Sequence, residues 1–115
     1  MDQLQIYLIP ALFIGFFVWR IFKFKQVKAM VPQLIAEGAI VVDVRTPQEF
    51  AGGARPDSLN LPLSDLVARA KELDQNKMII LCCASGTRSG IALGILKKLG
   101  FTKLVNAGPW MNTLA

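Results

Sequence analysis

Two cysteines stand side by side, Cys82 and Cys83, and an arginine follows at Arg88. The surrounding stretch, Met78 to Gly90, reads MIILCCASGTRSG. An apolar run ends in a thiol, a short turn with one glycine follows, and an arginine leads into a second apolar run. This arrangement favours a thiolate. A curved loop can point successive backbone N–H groups at its own centre. A helix that starts behind the loop aims its free N–H groups and the positive end of its dipole at the same place. Gly86 permits the left-handed backbone such a curve needs. Arg88 adds a fixed positive charge. Each of these lowers a cysteine pKa and raises its reactive fraction. The chain has no histidine, and the loop has no acid, so no side chain there can relay protons. The chemistry must run on the thiolate itself.

Two registers of the loop compete. Counted from Cys83 the pattern is C-x4-R, a six-residue loop. Counted from Cys82 it is C-x5-R, the spacing of phosphatase-type and arsenate-reductase-type loops. A single terminal sulfur atom fits the tighter loop, whereas a tetrahedral oxyanion needs the wider one. The preferred reading makes Cys83 the nucleophile and Cys82 the last residue of a strand, packed as a small hydrophobe. Cys82 as nucleophile is the alternative, and an inert loop with structural cysteines is the third possibility. Ala84, Ser85, Gly86, Thr87 and Arg88 are the candidate substrate-binding residues. Adjacent cysteines suit neither a spaced zinc site nor a disulfide framework, so no metal and no cofactor are expected.

The elements that must position this loop alternate in type. Pro32 to Glu37, with Gly38 behind it, predicts a short helix with proline at its first position. Ala39 to Val44 is a β-branched run typical of a strand buried on both faces. Pro47 to Phe50 starts a short helix that stops at Gly52 and Gly53. Leu59 to Leu61 is a weak strand ended by Pro62. Ser64 can cap a helix running to about Leu73. Lys77 to Cys82 predicts a strand and Ser89 to Leu99 a helix, with Lys97, Lys98 and Gly100 suiting its C-terminus. Gly90 and Gly94 are placed to let that helix approach the sheet. Lys103 to Asn106 predicts the last strand, and Trp110 to Leu114 a terminal helical turn with Trp110 in the core. Strands alternating with helices predict an α/β domain around a central parallel sheet.

These segments resemble a family. VVDVRTPQEF, from Val41 to Phe50, resembles the rhodanese signature at the second strand. LNLPL from Leu59 to Leu63 and CASGTRS from Cys83 to Ser89 are similar to the segment and the active-site loop that follow it. LGF from Leu99 and VNAG from Val105 resemble the closing part. The likeness spans roughly Val31 to Ala115, and GARP at Gly53–Pro56 departs from the family's Gly-His-Ile-Pro form. It implies a central parallel sheet flanked by helices. It also implies a sulfurtransferase in which Cys83 takes sulfane sulfur, from thiosulfate or a protein persulfide, and passes it to a thiophilic acceptor. Asp43 and Arg45 are the supporting candidates, with Arg45 pairing to Asp43 or Glu49 to brace the second-strand loop. A non-catalytic docking module is the alternative from another class, and the intact loop argues against it.

Composition adds an anchor. The chain has 115 residues, of which 53% are hydrophobic and 18% charged, with a net charge of +5. That is room for one small domain, and the apolar share exceeds that of a soluble one. The excess lies in Gln3–Trp19, 17 residues without charge. As a helix they rise about 25 Å, close to the roughly 30 Å of a bilayer core. Tyr7 and Trp19 suit the two interfaces. A signal peptide is the alternative, but no basic residue precedes the run and no small-x-small site follows it. A buried core helix is the bland reading. Arg20, Lys23, Lys25 and Lys28 follow the run while only Asp2 precedes it, which predicts an external N-terminus and a cytoplasmic domain. The expected division is therefore 1–25, a transmembrane helix with its basic flank, and 26–115, the rhodanese-like domain. The basic cluster has no recognition motif, so no nucleic-acid partner is expected. The protein partner is left open.

Overall fold

The computed structural model describes residues 2–115. Its first element is one unbroken helix, α1 (Gln3–Ala36), of 34 residues and thus about 51 Å. Asp2 caps it, its carboxylate accepting from the Leu4 amide. The short helix expected to start at Pro32 is not a separate element, because Pro32 lies inside α1. The reason is tertiary. Val27, Val31, Leu34 and Ile35 recur at i, i+4, i+7 and i+8 and pack as one stripe on the sheet, with Val31 fully buried. Nothing between Trp19 and Pro32 breaks a helix, and the missing N–H of Pro32 falls on an exposed position. Gly38, at φ +98°, ends the helix as expected. The helix therefore runs through residues 25 and 26 without interruption.

Behind it come β1 (Ile40–Asp43), α2 (Pro47–Ala51), β2 (Leu59–Asn60), α3 (Leu66–Arg69), β3 (Ile79–Cys83), α4 (Thr87–Lys98) and β4 (Leu104–Pro109). The four strands form one sheet in the order β2-β1-β3-β4, and every pairing is parallel. The helix expected from Ser64 to Leu73 is instead α3 flanked by 3-10 turns at Leu63–Asp65 and Ala70–Glu72, and Ser64 caps nothing. The segment from Trp110 to Leu114 is a 3-10 helix.

The pleat of β3 divides its side chains between two cores. Ile79, Leu81 and Cys83 face a core built with Leu61, Leu66, Leu96 and Phe101. Ile80 and Cys82 face the other way, onto Val31 and Ala107. Helix α4 contributes to the first core and α1 covers the second. Gly90 on α4 faces Asn106, where an added Cβ would meet the amide nitrogen at 3.5 Å, whereas Gly94 faces open space. The close approach expected of both glycines is thus confined to Gly90. β3 and β4 slip by one residue between Leu81 and Cys82, so Leu81 pairs with Asn106 but Cys82 with Gly108. This bulge turns the end of β4 toward the loop behind β3.

Candidate active site

Strand β3 extends one residue beyond the expectation and ends at Cys83, and α4 begins two residues before it, at Thr87. The connection is thereby only Ala84, Ser85 and Gly86. Gly86 stands as the N-cap of α4 at φ +100°, which a side chain would strain. Its amide donates to Cys83 Sγ over 2.9 Å. Ser89 Oγ lies 3.4 Å from the same sulfur. Burial alone pushes the Cys83 thiol up. The Ser89 hydroxyl and the amides of Ser89, Gly86 and Ser85 outweigh it, and the pKa falls below the ordinary thiol value. Ser89 has one hydroxyl proton and two acceptors, since Oγ also donates to Asn106 Oδ1 at 2.7 Å. The backbone amides are therefore the steadier support for a thiolate.

Cys82 has the opposite surroundings. It is as deeply buried as Cys83, each 1% exposed, but on the α1 side of the sheet, away from the loop. Burial foremost, and then the charge of Asp43, push its thiol far up. The two registers are separated by geometry: the sulfur of Cys83 sits under the loop amides, and that of Cys82 sits in a dry core.

Arg88 occupies the first turn of α4. Its guanidinium makes a two-pronged bridge to Glu49, at 2.6 and 3.0 Å, instead of closing over the sulfur. Arg88 holds the Glu49 carboxyl down to about 2. Glu49 is itself fixed by the capping box of α2, in which Thr46 Oγ1 accepts from the Glu49 amide and the Thr46 amide donates back to the carboxylate. Ala84, Ser85 and Thr87 are exposed on the rim of the loop.

Asp43 and Arg45 lie beneath α2, and both are buried. Arg45 meets Asp43 through two nitrogens at 2.8 to 3.0 Å and donates to the Gly53 carbonyl at 2.7 Å. It also lies 4.9 Å above the ring of Trp110. Its link to Glu49 is to the backbone carbonyl, at 3.4 Å, because the Glu49 carboxylate is committed to Arg88. Arg55, which stands where the family form has isoleucine, ties this loop to the carbonyl of Thr113.

Four residues beyond the candidates that the sequence motifs single out reach the loop. Asn106 accepts from Ser89 and from the Gly108 amide, and donates to the Gly86 carbonyl at 3.2 Å. Glu49 is the second. The other two come from α1. Arg20 Nη2 donates to Thr87 Oγ1 at 3.2 Å. The Phe24 ring covers Gly86 and Gly108, where a Cβ would come within 2.5 and 2.9 Å of it. Arg20, Phe24, Val27 and Val31 continue the α1 stripe at helical spacing, a periodicity that the apolar and basic residues around them hide.

A family model described as a rhodanese-like domain matches residues 27–107. The chain belongs to the rhodanese-like domain family. Among curated relatives, a sulfurtransferase of Allochromatium vinosum is 36% identical over 61% of this chain and 65% of its own. A thiosulfate sulfurtransferase of Pseudomonas syringae is 33% identical over 70% of this chain and 76% of its own. The chain spans 40% to 65% of the length of several curated relatives it matches. Among solved structures, a human single-domain sulfurtransferase superposes with a TM-score of 0.66 at 27% identity, over 75% of this chain and 90% of that one. The rhodanese fold is therefore that of the sheet and its helices. The relatives' names support sulfur transfer of the rhodanese type. The family match begins at Val27, beyond Arg20 and Phe24.

Proposed function

We propose that this chain is a sulfurtransferase that works through a persulfide on Cys83. The observation that carries this reading is the Gly86 amide on Cys83 Sγ, inside a loop three residues long between strand and helix. With thiosulfate, the Cys83 thiolate attacks the outer sulfur. The S–S bond of the donor breaks, sulfite leaves with its electron pair, and Cys83 carries a persulfide anion. The acceptor then attacks the outer sulfur and the Cys83 thiolate leaves. Each step exchanges one bond to sulfur for another, so no outside oxidant or reductant enters. The loop amides that support the thiolate also support the persulfide anion one atom further out. Ser85 and Thr87 offer hydroxyls to the donor's oxygens. Arg45 and Asp43 act one layer below, holding the Gly53 loop and α2 in place. Arg88 acts with Glu49 as a strut between α4 and α2.

The membrane part of the proposal rests on α1. Its first half exposes large apolar side chains on all sides, Tyr7, Leu12, Phe13 and Phe17 among them, and is long and apolar enough to cross a bilayer. We place it as a single span with the N-terminus outside and the sheet domain in the cytoplasm, the orientation that the positive-inside bias favours for the cations after Trp19.

Intact mass after incubation with thiosulfate tests the chemistry. The expected result is a gain of one sulfur atom on Cys83 that cyanide removes. A thiosulfate-treated protein of unchanged mass, together with hydrolysis of an aryl phosphate, would replace the transferase by the wider-loop reading. The anchor is tested by alkaline carbonate extraction of uncleaved full-length protein, which should stay in the pellet.

A further inference from the structure

The guanidinium expected at the mouth of the loop is not free. Arg88 is bridged to Glu49 through both terminal nitrogens. The cation that does reach the loop comes from α1. Arg20 is half-buried, donates to Thr87 Oγ1 and lies 5.3 Å over the ring of Phe24. Among the described residues it has no carboxylate partner. Next to it is a cavity of about 440 Å³, whose walls include Arg20, Phe24, Ser85, Thr87 and Pro109. Its polar groups are one guanidinium and the hydroxyls of Ser85 and Thr87; the Ser85 hydroxyl donates to Thr87 Oγ1 at 3.5 Å, a long bond that it can exchange for one to an oxyanion. No acidic side chain lines it. Its remaining walls are apolar, and a poorly hydrated wall strengthens the pull of a fixed cation on an anion. A second cation, Lys23, lines the neighbouring cavity of about 540 Å³, which shares Arg20, Phe24 and Thr87 with the first.

We propose that the anchor helix builds half of the donor site. Arg20, with the Ser85 and Thr87 hydroxyls, holds the sulfonate end of an anionic sulfur donor such as thiosulfate, while Phe24 fixes the loop through Gly86 and Gly108. This inference rests on the sulfurtransferase reading. It makes Arg20 a specificity-determining residue supplied from outside the segment the family shares. Cys83 is buried and not part of the cavity wall, so the outer sulfur of a donor held there must reach it past Ser85 and Gly86, with sulfite departing from the Arg20 side.

The test uses the full chain in an uncharged, phosphate-free detergent. Wild type, R20Q and R20K are assayed with thiosulfate and cyanide, and again with an alkyl hydropersulfide, a donor without a sulfonate, whose outer sulfur passes to Cys83 as the alkyl thiol leaves. R20Q should raise the thiosulfate KM about tenfold with kcat changed less than about twofold, the range for losing one charge-assisted hydrogen bond. R20K should recover most of the loss, and the hydropersulfide KM should not move. An unchanged thiosulfate KM in R20Q overturns the proposal. So does an equal loss with both donors, or a displaced pH profile of Cys83 alkylation, either of which would mean that Arg20 only holds the helix on the loop. If wild type takes no sulfur from any donor, the transferase reading fails separately. The Arg20 site is then read by sulfate protection of Cys83 against iodoacetamide. A half-protecting concentration about tenfold higher in R20Q upholds the anion site, and an equal one ends it.

Discussion

Replacing Gly86 by alanine tests whether α1 and the loop form one unit. Two costs can be worked from the structure. The residue sits at φ +100°, where an L side chain meets its own backbone, a cost of about 1–2 kcal/mol. The new Cβ would also stand 2.5 Å from Phe24 Cζ and 3.1 Å from Gly108 Cα. A ring edge turns aside more cheaply than backbone moves, so the overpacking cost lies in the lower half of its usual range, about 1–2 kcal/mol. Together G86A should lose about 2–4 kcal/mol, a fall in Tm of at least about 8 °C for a domain of this size. The second cost depends on Phe24 and the first does not. A double-mutant cycle separates them. In the F24A background, G86A should cost about 1–2 kcal/mol less, leaving the backbone share. The assay is thermal unfolding of full-length protein in detergent, with the four variants side by side. A G86A protein within about 0.5 kcal/mol of wild type would refute the positive-φ argument. An undiminished cost in F24A would refute the packing of α1 on the loop.

Other outcomes follow from the same geometry. C83S should take up no sulfur in the mass assay, whereas C82A should keep most of its transfer and lose roughly 1 kcal/mol of packing. The iodoacetamide rate of wild type should rise with a midpoint below the ordinary thiol value of about 8.5, and S89A should move it only part of the way back, since the Gly86 amide remains. Because the folded pKa of Cys83 is depressed, its contribution to stability is present above the unfolded pKa and is lost as pH falls through the folded one; denaturation of wild type against C83A over that window should show the difference shrink on acidification. D43A strands the buried Arg45 without its carboxylate. It should cost about 3 kcal/mol by denaturant unfolding, the low end for such a pair because Arg45 keeps the Gly53 carbonyl and the Trp110 face.

The sheet was legible because its strands carry their own signal. Ile40–Asp43 and Ile79–Cys83 are β-branched or apolar runs bounded by turn residues, and buried parallel strands take that form. The loop was legible for a local reason too, since its cysteine, glycine and helix start lie within six residues. What escaped was long-range. Glu49 announced itself as a capping-box residue, and nothing local says that its carboxylate reaches Arg88, 39 positions on. Asn106 is one polar residue in a strand, and its role appears only when the bulge brings it beneath Gly86. Arg20 and Phe24 were masked by their surroundings. Where every position is apolar or basic, a stripe that docks on a protein cannot be told from a surface that faces lipid. Pro32 misled for a related reason. A proline at a first turn and a proline tolerated on an exposed face share one sequence sign, and the packing of Val31 decided between them.

Two adjacent cysteines invite the idea of a relay, in which the second thiol discharges what the first has accepted. The pleat of β3 forbids it. Cys82 and Cys83 point to opposite faces, and β3 is bonded to β1 on one side and β4 on the other. The strand would have to leave the middle of the sheet for the two sulfurs to meet. It therefore acts as a partition wall. On the proposed chemistry, a sulfur atom loaded on Cys83 would have no exit through the chain's own second thiol. The internal route to sulfide, by attack of Cys82, is closed off, and the dwell time of such a loaded state would be set by how often an outside acceptor or thiol arrives.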